Sequence, residues 1–537
     1  MVYEKSAVDQ VKGLGPIPCS SMVVQAGGAK RRTDMSVRSK KIILSVAVAF
    51  LLLYGILSIP AGDTPRMRGA DKQPFVWNQN DMWQALEARF LEARSAGCPG
   101  VAAEIGQRLE AANRQLTVMA GGQLEPTAQI FDAAESNLFG LGSLMAACPE
   151  HIGDYTHLVA SLRAELKRQS IGWDVRDRKV RDRLYRLLYG GRSALEEVML
   201  QAPRDSLPAI VAGTNEPSRT PLFSLAGVEL RSGDILLSRG GAPTSALIAR
   251  GNDYPGNFSH IALLYVDEAT GTPSIVEAHI ERGVVISSFE EYMKDVKLRI
   301  MVMRVRAAHP LLSKDPMLPH RAAKMAYDEV RKRHIPYDFA MDFKDSSRQF
   351  CSEVASHAYA SFGVTLWNII TTMSSPGVVS WLGDFGVRNF ETQAPADLEY
   401  DPQLVVVGEW RDRDALWNAQ VDNAITDAML AGADNGDRLT YAWYLLAPSR
   451  LVKAYSVVLN RFEKAGPVPE GMNAVTALKS MSLDRMHKRL KEEVLSSAAL
   501  FEEINGYRPP YWELVRIAEK AYERRSVYKK HGGASSQ

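Results

Sequence analysis

Cys351 and His260 are the residues whose types, order and surroundings point most directly to chemistry. Cys351 lies in Arg348-Gln349-Phe350-Cys351-Ser352-Glu353-Val354, and His260 stands 91 positions earlier in Phe258-Ser259-His260-Ile261-Ala262-Leu263-Leu264-Tyr265. A thiol is a strong nucleophile only as thiolate, which a nearby imidazole or a helix N-terminus favours. Residues 352–362 carry Val354, Ala355, Ala358, Tyr359 and Phe362 at helical spacing, which predicts a helix with Cys351 at or just inside its start. Amide groups and the helix dipole at that end favour an anion and can hold an oxyanion. His260 opens a run in which Ile261, Leu263 and Tyr265 alternate toward a core, the pattern of a strand. One cysteine and one histidine also fit a small buried thiol and a hydrogen-bonded strand histidine, so the neighbouring signals decide.

Those neighbours form an ordered set. Gly233-Asp234-Ile235-Leu236-Leu237-Ser238 is a turn feeding a short apolar strand, with Asp234 placed as a turn residue. After the His260 strand comes turn-rich Asp267-Glu268-Ala269-Thr270-Gly271-Thr272-Pro273, then a second strand, Ser274-Ile275-Val276-Glu277-Ala278-His279, which together read as a hairpin. In that hairpin Glu277 or His279 can stand beside His260 and orient its imidazole, the role of a triad's third member. The two share a strand face, so periodicity does not choose between them.

From about Leu225 to about Trp410 the chain resembles the NlpC/P60 superfamily of papain-like thiol hydrolases, in its circularly permuted YiiX/YebB-like branch related to lecithin:retinol acyltransferase. In the usual family order the Cys helix comes first. Here Gly233-Asp234-Ile235, Ser259-His260-Ile261-Ala262 and Val276-Glu277-Ala278 precede Phe350-Cys351-Ser352-Glu353, which is the permuted order. Ile335-Pro336-Tyr337-Asp338-Phe339 before the cysteine and Ala394-Pro395-Ala396-Asp397-Leu398 after it complete the match. The resemblance covers about a third of the chain. It implies Cys351 as nucleophile, His260 as general base and then acid, and Glu277 as the orienting residue. His279 is the alternative third member, because the acyltransferase relatives use a histidine there. Tyr337 is implied near the oxyanion or substrate, with a core tyrosine as the competing reading. No cofactor and no metal are implied.

The rest of the chain supplies context. Its 537 residues correspond to about three or four domains, and 46% apolar composition is ample for buried cores. With a net charge of +2 and no basic stripe in its body, the chain offers no support for nucleic-acid binding. No phosphate-cradling GxxxxGK[ST], helix-opening GxGxxG, HExxH or paired CxxC occurs.

Residues 42–59 (IILSVAVAFLLLYGILSI) form an uncharged, largely apolar run of eighteen, preceded by Lys30, Arg31, Arg32, Arg38, Lys40 and Lys41. That pattern predicts a transmembrane anchor with a cytoplasmic N-terminus and the catalytic domain periplasmic or otherwise extracytoplasmic. The alternative is a cleaved signal peptide and a secreted enzyme. Residues 1–41 read as a basic, disordered tail, with Met35 as an alternative true start. Residues 75–202 carry helical patterning, with Pro99, Pro126 and Pro149 at expected helix starts. Cys98 and Cys148 lie at those boundaries and can pair as a disulfide in an oxidising compartment, or remain two unpaired small residues. Residues 203–224 read as a linker, and 411–537 as a C-terminal helical region.

The expected fold is therefore α+β: a circularly permuted papain-like (NlpC/P60) domain at 225–410, flanked by helical regions, with one N-terminal transmembrane or signal segment. The expected function is an exported, membrane-associated cysteine hydrolase acting on cell-wall peptide amides. Its alternatives are a lipid acyl hydrolase or acyltransferase with the same triad, and a non-catalytic scaffold binding envelope proteins through its helices.

Overall fold

Strands that are apolar at successive positions need cover on both faces, and the strands around His260 receive it. The computed structural model describes residues 37–60, 67–77, 80–204, 206–462 and 464–532, without the side chains of 37–40, 42, 43, 80 and 526–532. The tail 1–34 and Met35 lie outside the described residues.

The N-terminal helices are α1 (Val37–Ser58), α2 (Asn80–Ala120), α3 (Gln129–Ala147), α4 (Ile152–Gln169), α5 (Arg178–Leu184) and α6 (Gly190–Gln201). From α2 to α6 they pack around a core that includes Phe90, Phe131, Leu141, Tyr155, Leu166 and Leu195. A break at Gly97 (φ 70°) divides α2, and Pro99 follows at once in its second half. Cys98 and Cys148 are disulfide-bonded with Cα atoms 5.1 Å apart. The bond closes a 50-residue separation, so its reduction is expected to cost the bundle about 4 kcal/mol of loop entropy. Urea titrations with and without reductant, followed by far-UV dichroism, check this by a lowered midpoint.

The central domain is built from strands β1 (Ile210–Ala212), β2 (Leu222–Leu225), β3 (Val228–Arg231), β4 (Ile235–Gly240), β5 (His260–Val266), β6 (Pro273–His279), β7 (Gly283–Ser288), β8 (Lys297–Val305), β9 (Thr371–Thr372), β10 (Glu391–Thr392) and β11 (Leu404–Trp410). Its helices are α7 (Pro243–Arg250), α8 (Phe289–Lys294), α9 (Pro310–Lys314), α10 (Leu318–Lys332), α11 (Cys351–Ala360) and α12 (Pro376–Asp384). A seven-stranded antiparallel sheet runs β1-β11-β8-β4-β5-β6-β7. The stretch 203–224, read as a linker, thus supplies an edge strand, with Val211 opposite Glu409.

Alternate residues divide the sheet between two cores. Ile235, Leu237, Ile261, Leu263, Val276 and Met303 face α10 and α11 with Ala322, Val354 and Ala355. Leu236, Ala262, Leu264, Ile275 and Val302 face the opposite side with Phe289 and Tyr292. Gly233 enters β4 at φ 98°, and a Cβ there would lie 2.4 Å from Pro319 Cβ. Only glycine meets both demands.

Helices α13 (Arg413–Asp434), α14 (Leu446–Asn460), α15 (Ala474–Asn505) and α16 (Tyr511–Gly532) complete the chain. Val421, Ile425 and Met429 of α13 are buried with Trp381 of α12 and with Leu490 and Leu514.

The expectation of a membrane-spanning helix finds no support among the described residues. Residues 42–59 do fall largely in a helix, α1, but among the described residues no helix is long and apolar enough to cross a membrane.

Candidate active site

Hairpin register and a helix start assemble the site. Cys351 is the first residue of α11, so its own N–H and that of Ser352 belong to the first turn, where amides lack intrahelical acceptors. The Glu353 carboxylate accepts the Phe350 N–H at 2.9 Å, tying down the entry to the helix. Burial pushes the Glu353 carboxyl up to about 9. Cys351 is buried at 6% exposure and is the free cysteine among the described residues. Its Sγ points to the Ser259 carbonyl oxygen at 3.9 Å, immediately before His260.

His260 begins β5, with Ser238 opposite on β4. On the other side, Glu277 pairs with Ala262, two residues along β5, and its Oε2 lies 2.8 Å from His260 Nε2. That contact leaves Nδ1 as the ring nitrogen for the thiol. Burial works to lower the imidazole pKa; hydrogen bonds from the ring to Cys351 and Glu277 overcome it, with their charges, and raise it to about 9.

Glu277 is the hub of the polar cluster. Ser287 of β7 donates its hydroxyl to Oε1 at 2.8 Å. His279 Nε2 is 3.0 Å from the same oxygen, but without hydrogen-bond alignment. Burial alone would raise the Glu277 pKa, yet the two histidines hold it far below the usual carboxylate range. The structure therefore brings Cys351, His260 and Glu277 together and puts His279 beyond the carboxylate, its ring centroid 6.3 Å from that of His260. No described contact joins His279 to Cys351.

Tyr337 is carried to the thiol by a short parallel bridge to Gln349, with the Gln349 N–H donating to the Pro336 carbonyl at 3.0 Å. The tyrosine is buried, its ring 4.9 Å from that of Phe339. Burial, followed by the charge of Cys351, pushes its hydroxyl well above its ordinary value. It stays a hydrogen-bond donor.

Other predicted residues serve the frame. Asp234 is a buried partner of Arg304, at 2.8 Å to both carboxylate oxygens, and accepts the Arg231 N–H. Asp397 binds Arg181 of α5 at 3.0 Å and so joins the domain to the bundle. Ser287 and Glu353 were not found from the sequence. Gly283, which turns β6 into β7 at φ 73°, was the available signal for Ser287. Glu353 stood in the quoted motif, but its spacing did not reveal burial. Clefts of about 650 and 590 Å³ lie elsewhere, and Cys351 lines neither. Among the described residues the three-ligand group with metal-binding spacing is Cys98, Cys148 and Glu150, where both thiols are committed to the disulfide.

A thiol at the start of a helix on an antiparallel sheet, with imidazole and carboxylate on adjacent strands earlier in the chain, defines a papain-like cysteine hydrolase of permuted order. Residues 229–408, a third of the chain, match the family described as permuted papain-like amidase enzyme, YaeF/YiiX, C92 family, and this domain belongs to it. A solved Escherichia coli O157:H7 structure described as metalloprotein yiiX is similar at 18% identity, over 33% of this chain and 95% of that one, with a TM-score of 0.27. No curated protein matches the chain.

The imidazole sets a pH expectation. His260 is raised from 6.5 to about 9, so its contribution to stability is complete below pH 6.5 and is lost as pH rises through 9. Activity that needs its proton should fall above about pH 9. Glu277→Gln should bring that alkaline limb to lower pH, since it removes the negative charge beside the ring. A pH–rate profile of both proteins checks this, and coincident limbs would contradict it.

Proposed function

We propose that this protein is an exported, membrane-associated amidase or endopeptidase that cleaves amide bonds in cell-envelope substrates such as peptidoglycan peptides. The observation carrying the reading is the placement of the Cys351 thiol against the Ser259 carbonyl, next to His260, whose ring Glu277 holds at 2.8 Å, on the amidase-family domain. The Cys351 thiolate attacks the carbonyl carbon, and the N–H groups of the first α11 turn hold the oxyanion with Tyr337 as a further donor. Protonated His260 gives its proton to the leaving amine as the C–N bond breaks, leaving an acyl-thioester. The now neutral imidazole takes a proton from water, hydroxide displaces the thiolate, and acid and free enzyme result. Glu277 keeps the ring oriented and stabilises its charged form.

Export and membrane association rest on the basic flank and apolar run at 42–59. A lipid acyl substrate is the second reading, favoured by the apolar side chains that α1 leaves exposed. Envelope extracts incubated with wild type and with Cys351→Ala, compared by mass spectrometry, test both. New free amines and shortened peptides appearing only with wild type support the amidase, and released fatty acids support the acyl hydrolase. Identical product spectra for the two proteins would refute the proposal.

A further inference from the structure

Helix α14 presents a stripe of large apolar side chains to the outside. Leu451 (56% exposed), Tyr455 (57%) and Val458 (55%) follow at steps of four and three, with Phe462 (70%) in the turn after the helix and Trp443 (63%) and Tyr444 (55%) just before it. Its inner side is firmly held. Leu446 is buried with Ala474 and Leu478, the Ser456 hydroxyl accepts the Val468 N–H, and Lys453 donates to the Pro469 and Glu470 carbonyls at 2.8 Å. The outer stripe therefore belongs to a packed helix.

The stripe is continuous with α1. Tyr54 donates its hydroxyl to the Tyr444 carbonyl at 2.7 Å, and Arg450 donates to the Leu57 carbonyl at 2.9 Å. On α1, positions 44, 46, 48, 50, 51, 52, 53, 54 and 56 are all large, apolar or aromatic, and exposed. At about 100° per residue they go right round the axis. A protein partner covers one side of a helix; a hydrocarbon phase covers every side. Neither 37–58 nor 446–462 contains an acidic residue, while the latter carries Arg461 on its exposed side, with Arg450 and Lys453 nearby on the Leu57, Pro469 and Glu470 carbonyls. Tryptophan and tyrosine grouped with cations beside an apolar surface suit the headgroup boundary of an anionic leaflet.

We infer that α14, with Trp443 and Tyr444, is a second bilayer-contacting element beside α1, seated in the headgroup and outer acyl region of an anionic membrane. The inference rests on the proposed membrane association and adds a surface from the opposite end of the chain. That surface adjoins the catalytic side: the turn that α14 grips through Lys453 continues to Gly471, whose backbone sits on the Phe339 ring, and Phe339 packs on Tyr337.

The test uses the full chain, purified in detergent and transferred to vesicles of phosphatidylcholine with or without phosphatidylglycerol. Brominated phosphatidylcholine should quench part of the tryptophan emission, and Trp443→Phe should remove at least half of the quenchable part. Leu451→Glu with Val458→Glu should lower partitioning to phosphatidylglycerol vesicles by about tenfold or more, since each change puts a charge on a lipid-facing apolar site. Unchanged circular dichroism and Cys351 alkylation would show that this variant folds. Unaltered quenching in Trp443→Phe, undiminished flotation of the α14 variant, or equal binding to both vesicle types would overturn the inference. Phe50→Glu with Leu53→Glu separates the two readings: if only this α1 variant loses flotation, the anchor stands and the α14 surface falls. Wild type that never floats would refute membrane association itself. A wild-type dimer in solution that the α14 changes dissolve would assign the stripe to a second copy of the chain.

Discussion

Cys351→Ala is expected to reduce turnover by about 10⁴-fold or more, leaving only the residual rate that the oxyanion donors and substrate binding supply. The thiol bonds to carbon in the proposed reaction, so alanine removes the reaction path. His260→Ala should cost nearly as much. The double variant should be little worse than either single one, because nucleophile and base act as a unit. Circular dichroism should remain that of wild type, since Cys351 makes a small part of the core around Val354 and Ala355. Steady-state rates on the amide substrate identified from envelope extracts check all three variants. Independent, additive losses would argue against a shared nucleophile–base pair.

The second large effect concerns stability. Arg192 of α6 grips Glu399 through two bonds, 2.7 and 2.8 Å, and reaches Glu196 at 3.1 Å; Glu196 in turn holds Arg299 of β8. Arg192, Glu399, Glu196 and Arg299 are each at most 3% exposed. This network joins the helical bundle to the catalytic domain, with Lys167 adding bonds of 2.7 Å to the Glu399 and Asp401 carbonyls. Glu399→Ala leaves the Arg192 guanidinium buried with half its partners gone and should cost about 3–5 kcal/mol. Arg192→Met with Glu399→Leu should recover much of that loss, because it removes both members of the bidentate pair. Urea midpoints of the three proteins check the order: wild type and the double variant close together, and Glu399→Ala well below.

Much of the candidate site's geometry was legible in the sequence because its signals are local. The apolar spacing after Cys351 marked a helix, and the structure starts α11 at that residue. The alternation after His260 marked a strand, and Ile261, Leu263 and Tyr265 do face the same core. Glu277 and His279 were not separable, since residues two apart share a strand face. Pairing across β5 and β6 separates them, setting Glu277 against Ala262 and within 2.8 Å of His260.

The rest depended on contacts between distant segments. Nothing local about Arg192 and Glu399 tells that they meet 207 positions apart inside the protein. The edge strand at 210–212 is three residues long, too short for any periodicity to show. The apolar run at 42–59 was plain, but its link to α14 is made by backbone acceptors at Leu57 and Tyr444, which side-chain pattern does not encode.

The most direct test of the central claim is the rate at which iodoacetamide alkylates Cys351 at pH 6, in wild type and in His260→Ala. An ordinary thiol, with a pKa of about 8.5, reacts slowly at that pH. A thiolate sustained by the imidazole should react readily in wild type and lose most of that rate when His260 is removed. Equal rates in the two proteins, or no modification of Cys351 in folded wild type, would contradict the assignment of Cys351 and His260 as nucleophile and base.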